Sequence, residues 1–157
     1  MRRILAVLML LASWSVSLAA ETVTGRVVRV ADGDTLTVLS RGKIVKVRLA
    51  GVDAPEKRQA GGLEAKRFIS DLTLGQRVTV AAASRPDRYG RSLGTVTLPD
   101  GRNLNQELVR AGHAWHYRAY SKDKSLQALE DAARAARVGL WESSVEPVPP
   151  WDFRRKR

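Results

Sequence analysis

Acidic residues and arginines recur in three short segments whose chemistry suits a cation and a phosphate. The first is the Asp-Gly-Asp-Thr segment at residues 32–35, which joins two β-like runs. It is either a plain hairpin turn or a turn that presents Asp34 as a hard-cation ligand at the start of a strand. It is not an EF-hand loop, because Leu36 and Lys43 stand where that loop requires oxygen ligands.

The second segment runs from Arg48 to Glu56 and contains two acidic residues and an arginine. A solvated strand end would explain this composition, but Pro55 also fixes the direction in which Glu56 leaves the backbone. Strict strand alternation would place Arg48 and Asp53 on opposite faces. The two side chains share one site only if the chain bends near Gly51, which a glycine permits.

The third segment is the Asp-Arg-Tyr-Gly-Arg sequence at residues 87–91. It is either a polar turn or a phosphate-binding arginine beside an aromatic ring that stacks on a base. His113 and His116 also lie close together, but no third ligand for zinc stands near them, and we interpret them as structural residues.

The elements that would position these segments follow from hydrophobic periodicity. Residues 22–50 alternate apolar and polar side chains in three runs separated by Asp-Gly and Arg-Gly dipeptides, which indicates a three-stranded meander. The later predicted elements are strands at 77–83 and 92–98 and helices at 63–74, 103–111 and 122–138. Five short strands with a helix between the third and fourth predict an α+β fold: an OB-type Greek-key barrel with about three flanking helices.

The chain has 157 residues and divides into three predicted parts. Residues 1–19 have a basic start, an apolar run and small residues at the end, which indicates a signal peptide cleaved after Ala19; an uncleaved anchor is the alternative. Residues 20–142 form one predicted domain. Residues 143–157 form a proline-rich, basic tail that we expect to be extended and either loosely docked or free, and we expect Trp141 and Trp151 to pack the C-terminal segment onto the barrel. No later stretch is apolar enough to span a membrane.

The charge and the cysteine count restrict the partners and the chemistry. The whole chain carries a net charge of +11, and loss of two arginines with the signal peptide would leave about +9. Such an excess favours polyanions, among them nucleic acid, anionic lipid and cell-wall polymers. The chain has no cysteine, which excludes disulfides, thiolate metal sites and cysteine nucleophiles.

The order of the motifs is more specific than any one of them. A valine-rich strand leads into Asp-Gly-Asp-Thr, and then come Arg-Leu-x-Gly-Val-Asp-Ala-Pro-Glu, a Glu-Ala helix, Asp-Arg-Tyr-Gly-Arg, Leu-Val-Arg-Ala-Gly and Gly-Leu-Trp. This order resembles the staphylococcal nuclease (thermonuclease) family over roughly residues 23–141. The resemblance implies calcium-dependent endonucleolytic cleavage of DNA and RNA at the P–O5′ bond, which leaves 3′-phosphate products.

The resemblance also implies roles for individual residues. Asp34 and Asp53 match calcium ligands, and Ala54 stands where a backbone carbonyl completes the set; the founding member has threonine there, which should cost little. Arg118 replaces a second tyrosine of the nucleotide pocket, which weakens the expectation of base contacts. The catalytic matches are Arg48, Glu56 and Arg91, and the nucleic-acid-binding matches are Arg88, Tyr89 and Tyr120.

The expected protein is therefore an exported, monomeric nuclease of the periplasm or the extracellular space, acting on single-stranded or frayed nucleic acid. One alternative is an OB-type module that binds single strands without cutting them, although the presence of all the matched acidic and arginine residues favours the enzyme. A further alternative, compatible with activity, is an envelope-associated protein whose basic tail, Arg154 to Arg157, binds anionic lipid or polymer.

Overall fold

The computed structural model describes residues 21–156; the predicted signal peptide lies outside the described residues. The strands are β1 (Glu21–Asp32), β2 (Thr35–Ser40), β3 (Lys43–Leu49), β4 (Val52–Asp53), β5 (Arg77–Ala82), β6 (Ser92–Thr97) and β7 (Trp115–His116). The helices are α1 (Gly62–Thr73), α2 (Leu104–Arg110), α3 (Lys124–Ala136) and α4 (Pro150–Arg155), and a 3₁₀ turn covers Gly139–Trp141. None of these helices is both long enough and apolar enough to cross a bilayer.

Five strands form a closed barrel in the order β1-β2-β3-β6-β5, and β5 pairs again with β1. All neighbouring pairs are antiparallel except β3 and β6, which run parallel with Val47 opposite Ser92. This arrangement confirms the predicted OB-type barrel in an α+β fold. A separate two-stranded sheet pairs β4 with β7 outside the barrel.

Alternation along the strands fills the barrel interior. Leu36 and Val38 of β2 are fully buried, as are Val47 of β3 and Val80 of β5. Helix α1 begins after Gly61 and buries Ala65 and Ile69, which stand four residues apart on one face. Burial of apolar area on this scale is the main stabilising contribution, about 25 cal/mol for each Å² removed from water.

The C-terminal tail is not wholly extended as predicted, because it ends in a helix, whereas Trp151 packs against other aromatic rings as expected. Its prolines do hold the approach extended, but Pro150 occupies the first turn of helix α4, where its fixed φ favours a helix. The Trp151 ring stacks parallel to Tyr117 with 5.4 Å between centroids and meets Trp115 edge-on at 6.3 Å. These contacts dock the tail, and α4 raises the number of flanking helices to four.

The structure supports the packing interpretation of His113. Its ring lies 4.7 Å from the ring of Phe68 and is half-buried. Burial lowers the pKa of His113 below its ordinary value of 6.5, although the carboxylates of Glu64 and Glu142 act in the opposite direction. The neutral form of the imidazole is therefore favoured in the folded protein.

A pH dependence of stability follows from this burial. Below about pH 6.5 the unfolded chain binds a proton at His113 more readily than the folded chain does, so the free energy of unfolding falls as the pH drops. The His113→Phe variant should lose less stability than the parent between about pH 8 and about pH 5.5, as measured by urea unfolding. The same loss in both proteins would show that His113 is not responsible.

Candidate active site

One arginine joins two buried aspartates at the end of strand β3. Arg48 Nη1 lies 2.7 Å from Asp34 Oδ2, and Arg48 Nη2 lies 2.8 Å from Asp53 Oδ1. Asp34 is 7% exposed and Asp53 only 1%. The guanidinium therefore holds together the start of β2, the end of β3 and the short strand β4.

A turn between β3 and β4 lets Arg48 and Asp53 share one site, although strict strand alternation would place them on opposite faces. Gly51 has φ of 74°, a left-handed conformation that favours glycine, and a Cβ at this position would lie 2.9 Å from Leu126 Cδ1. The reversal brings Asp53 back toward Arg48, and Arg48 Nη1 also donates to the Val52 carbonyl at 3.1 Å. The predicted bend near Gly51 is confirmed.

Asp34 accepts hydrogen bonds from two neighbours besides Arg48. The backbone N–H of Ala54 donates to Oδ2 at 2.9 Å, and the Thr35 hydroxyl donates to Oδ1 at 3.2 Å. Burial nevertheless raises the pKa of Asp34 to about 7, against the lowering effect of Arg48 and with a further rise from the nearby Asp32 carboxylate. A negative charge at this position is costly unless positive charge accompanies it.

Glu56 is placed by its loop and by the start of α1. Its backbone N–H donates to Gln59 Oε1 at 3.1 Å. A Cβ at Gly62 would lie 2.1 Å from the Glu56 carbonyl oxygen, so only glycine lets the helix approach so closely. The Glu56 side chain is 35% exposed, which leaves its carboxylate accessible to water.

A third arginine, Arg154 of helix α4, contacts the carboxylates of Asp53 and Glu56. The sequence motifs did not predict it as a site residue. Arg154 Nη2 lies 2.7 Å from Asp53 Oδ2, and Arg154 Nη1 lies 2.8 Å from Glu56 Oε1. Arg154 is 101 residues from Asp53 in sequence, in a tail predicted to be loosely docked. The structure thus brings together Asp34, Arg48, Asp53 and Glu56, with Arg154 as an additional member.

Arg91 lies in the loop that leads into β6 and pairs with an acidic residue of that loop. Its Nε and Nη2 both lie 2.8 Å from Asp87 Oδ2 in its own loop. This loop leads into β6, where Ser92 pairs with Val47, the neighbour of Arg48. Among residues 21–156, no recorded hydrogen bond or ion pair joins Arg91 to Asp34, Asp53 or Glu56.

The predicted nucleic-acid-binding residues are exposed. Tyr89 is 62% exposed, and the guanidinium carbons of Arg88 and Arg91 lie 4.8 Å and 5.2 Å from its ring centroid. Tyr120 is 78% exposed, and its ring lies 4.8 Å from Tyr117. Both rings are free to stack on a base, and the Tyr89 side carries two positive charges.

Two buried polar residues support the site and were not identified from the sequence. Glu130 of α3 is 2% exposed; its Oε2 accepts the His116 N–H at 2.7 Å, and its Oε1 lies 3.0 Å from Arg134 Nε. This contact holds β7, the strand that pairs with β4 and thereby fixes Asp53. Asn105 of α2 accepts the Val96 N–H and donates to the Ala50 carbonyl, next to the Gly51 turn.

The side chains around Asp34 and Asp53 fit a hard divalent cation. Both carboxylates lie within 2.8 Å of the Arg48 guanidinium, which brings two hard oxygen donors together, although among residues 21–156 no group of three histidine, cysteine or acidic side chains is arranged to hold a metal ion. A calcium ion takes six to eight oxygen ligands, often with carbonyls and waters among them. The Ala54 carbonyl, waters and a phosphate oxygen would complete such a set, and the cation would add positive charge beside the two buried carboxylates.

Comparisons with known proteins agree with this geometry. A family model described as "Staphylococcal nuclease homologue" matches residues 46–143. The chain is 46% identical, over the full length of both proteins, to an "Uncharacterized endonuclease" from Escherichia coli O157:H7. It is 43% identical to a "Micrococcal nuclease" from Shigella flexneri, covering 83% of this chain and 80% of that protein.

The supporting role of Glu130 is testable by mutation. The Glu130→Ala variant leaves the buried His116 N–H without its acceptor, so we expect the free energy of unfolding to fall by about 1–3 kcal/mol. Denaturant unfolding measures this loss, with the exposed neighbour Asp131→Ala as a matched control that should change stability by less than about 0.5 kcal/mol. Equal effects of the two substitutions would contradict the proposed role.

Proposed function

Because this chain belongs to the staphylococcal nuclease family, we propose that it is a calcium-dependent endonuclease that hydrolyses DNA and RNA to 3′-phosphate products. The family establishes that the chain is a nuclease, a hydrolase of phosphodiester bonds. The calcium requirement, the substrates, the bond cleaved and the residue roles are our proposal. The observation that carries it is the Asp34–Arg48–Asp53 cluster with Glu56 beside it.

In this proposal Asp34 and Asp53 hold the cation with their carboxylates, and Ala54 contributes its carbonyl oxygen. Burial of both aspartates supports this assignment, because a low-dielectric environment strengthens their interaction with a divalent ion. A bound calcium ion would polarise a non-bridging oxygen of the scissile phosphate. Its binding would also compete for the carboxylate oxygens that Arg48 now contacts.

Arg48 and Arg91 bind and stabilise the phosphate in this proposal. Their planar guanidinium groups donate paired hydrogen bonds to phosphoryl oxygens, where negative charge grows as the attacking water approaches. Each arginine is at present paired with carboxylates, Arg48 with Asp34 and Asp53 and Arg91 with Asp87. These pairs hold the guanidinium groups in place until phosphate oxygens replace the carboxylates as acceptors.

Glu56 acts on the attacking water. Its partly exposed carboxylate can accept a proton from a water molecule, or orient that water toward phosphorus. Breaking of the P–O5′ bond then leaves the phosphate on the 3′ side. The contact with Arg154 engages one Glu56 oxygen in the described conformation.

Substrate binding is proposed to use the basic surface and the exposed rings. Arg88 and Tyr89 at one side of the site and Tyr120 at another would contact the sugar-phosphate backbone and unstacked bases. Exposed rings suit single-stranded or frayed substrates, whose bases are free to stack. The net charge of +11 supports attraction of nucleic acid.

We also propose that the protein acts as a monomer after export to the periplasm or beyond. Export is supported by the sequence of residues 1–19, with its basic start, apolar run and small residues at the end, and the monomer is the default assumption.

One set of cleavage assays tests both the calcium requirement and the catalytic roles of Glu56 and Arg48. We expect the protein to cleave single-stranded DNA with calcium and to stop when excess chelator is added. Glu56→Gln should lower kcat by about 10²–10⁴-fold, and Arg48→Lys by about 10²–10³-fold because it loses paired donation to the phosphate. End-group analysis should show 3′-phosphates.

The matched control for this test is Glu64→Gln, an exposed carboxylate on helix α1. It should leave the rate unchanged. Tight DNA binding without cleavage under any divalent ion would refute catalysis and leave a binding module. Cleavage unaffected by chelator would refute the calcium requirement alone.

The aromatic contribution to binding is tested at Tyr89. Tyr89→Ala should raise KM for single-stranded DNA by about 5- to 100-fold, because stacking on a base is worth about 1–3 kcal/mol. Tyr89→Phe should keep most of the affinity, since the ring remains. A KM that is the same in all three proteins would show that bases do not stack here.

A further inference from the structure

Arg154 forms ion pairs with the carboxylate oxygens of two proposed active-site residues, Asp53 and Glu56. Its Nη2 donates to Asp53 Oδ2 at 2.7 Å, while its Nη1 lies 2.8 Å from Glu56 Oε1 and 3.3 Å from Asp53 Oδ1. Asp53 Oδ1 also accepts from Arg48 at 2.8 Å. Both oxygens of Asp53 are therefore engaged by guanidinium groups in the described conformation.

Helix α4, which carries Arg154, is held by side-chain packing at its first turn. Trp151 stacks on Tyr117, and Pro150 is buried. Gln59, in the loop that follows Glu56, donates from Nε2 to the Val148 carbonyl just before the helix. These contacts place Arg154 at the site in a defined way, so its ion pairs are not a chance encounter of a free tail.

We propose that Arg154 is a resident counter-ion of the metal site, which a divalent cation must displace before it can bind. This inference rests on the proposed function, because it takes Asp53 as a metal ligand. Binding of the cation and docking of Arg154 on Asp53 then exclude each other. The C-terminal helix thereby sets the concentration of cation that the nuclease requires.

Electrostatics supports exclusion rather than shared occupancy. A cation bound to Asp53 Oδ2 would take the atom that Arg154 Nη2 contacts, and the guanidinium charge would repel it at close range. Asp53 is 1% exposed, so few water molecules screen that repulsion. The Arg154 side chain is 41% exposed and can move outward into solvent when it leaves.

Displacement of Arg154 should also make the Glu56 carboxylate accessible to the attacking water. In the docked conformation Glu56 Oε1 accepts a charge-assisted hydrogen bond from Arg154, so this oxygen is not available to water. Withdrawal of Arg154 frees this oxygen for the attacking water. One movement therefore opens both the metal ligand and the proposed base.

The size of the effect depends on how often Arg154 is docked. An apparent dissociation constant equals the intrinsic one divided by the fraction of molecules that are competent to bind. Docking in about nine tenths of the molecules would weaken calcium binding about tenfold. A bidentate pair with a buried carboxylate can reach this occupancy even though the arginine is partly exposed.

The test measures calcium binding to the purified protein by isothermal titration calorimetry, without nucleic acid. Arg154→Gln should bind calcium about tenfold more tightly than the parent. Arg155→Gln is the matched control, because Arg155 is the next residue of the same helix and pairs only with Asp152 among the recorded ion pairs of residues 21–156. It should bind calcium as the parent does.

A second measurement follows the helix itself. Calcium should increase hydrogen exchange of the backbone amides of residues 151–155, because the helix loses its ion pairs when the cation binds. Trp151→Leu, which weakens the packing of α4, should also tighten calcium binding. Both results are independent of catalytic rate.

The outcomes separate this inference from the proposal on which it rests. If the parent binds calcium and Arg154→Gln binds it equally or more weakly, the counter-ion role is overturned while the calcium site stands. Unchanged or slower exchange of residues 151–155 in the presence of bound calcium would overturn it too. If neither the parent nor any variant binds calcium, and calcium supports no cleavage, both proposals fail.

Discussion

The site depends on how two buried carboxylates are neutralised. Asp34 and Asp53 come from separate segments and both lie against Arg48; without it Asp34 would carry an uncompensated buried charge, and Asp53 would be left with Arg154 alone. Loss of one partner from such a cluster leaves charge in a low-dielectric environment, which is far more costly than loss of a surface pair. This need for positive charge ties the β3–β4 turn to the start of β2. The two carboxylates also create a negative electrostatic potential that favours binding of a cation.

The barrel and the helices supply the rigidity that this charge cluster needs. Strand β4 has only two residues and could not hold Asp53 by itself. It pairs with β7, and Glu130 of α3 accepts the His116 N–H of that strand. Asn105 of α2 binds the Ala50 carbonyl beside the turn. The buried side chains of Glu130 and Asn105 are thus satisfied by contacts that also position the carboxylates.

The sequence predicts the barrel well because its signals are local. Alternation in the strands, the Gly51 bend and the α1 period each depend on neighbouring residues, and the structure confirms them. The supporting contacts are not local. Glu130 lies in an alanine-rich helix, where a buried acid has no periodic signature, and its His116 partner is 14 residues away. Arg154 is 101 residues from Asp53 in sequence. The composition of its proline-rich, basic segment is that of a linker, and the stacking of Trp151 on Tyr117 that docks it is visible only in the structure.

The same physics explains why an arginine from the tail is found at this site. The two buried aspartates, the proposed cation ligands, carry more negative charge than Arg48 alone can balance. Any nearby flexible cation is then drawn in, and the packing of Trp151 keeps Arg154 within reach. Arg154 adds one positive charge and Arg48 another, which together equal the charge of a divalent ion. In the described conformation these two arginines balance the charge of the buried aspartates, and under the proposal the strength of their ion pairs sets how easily a cation enters.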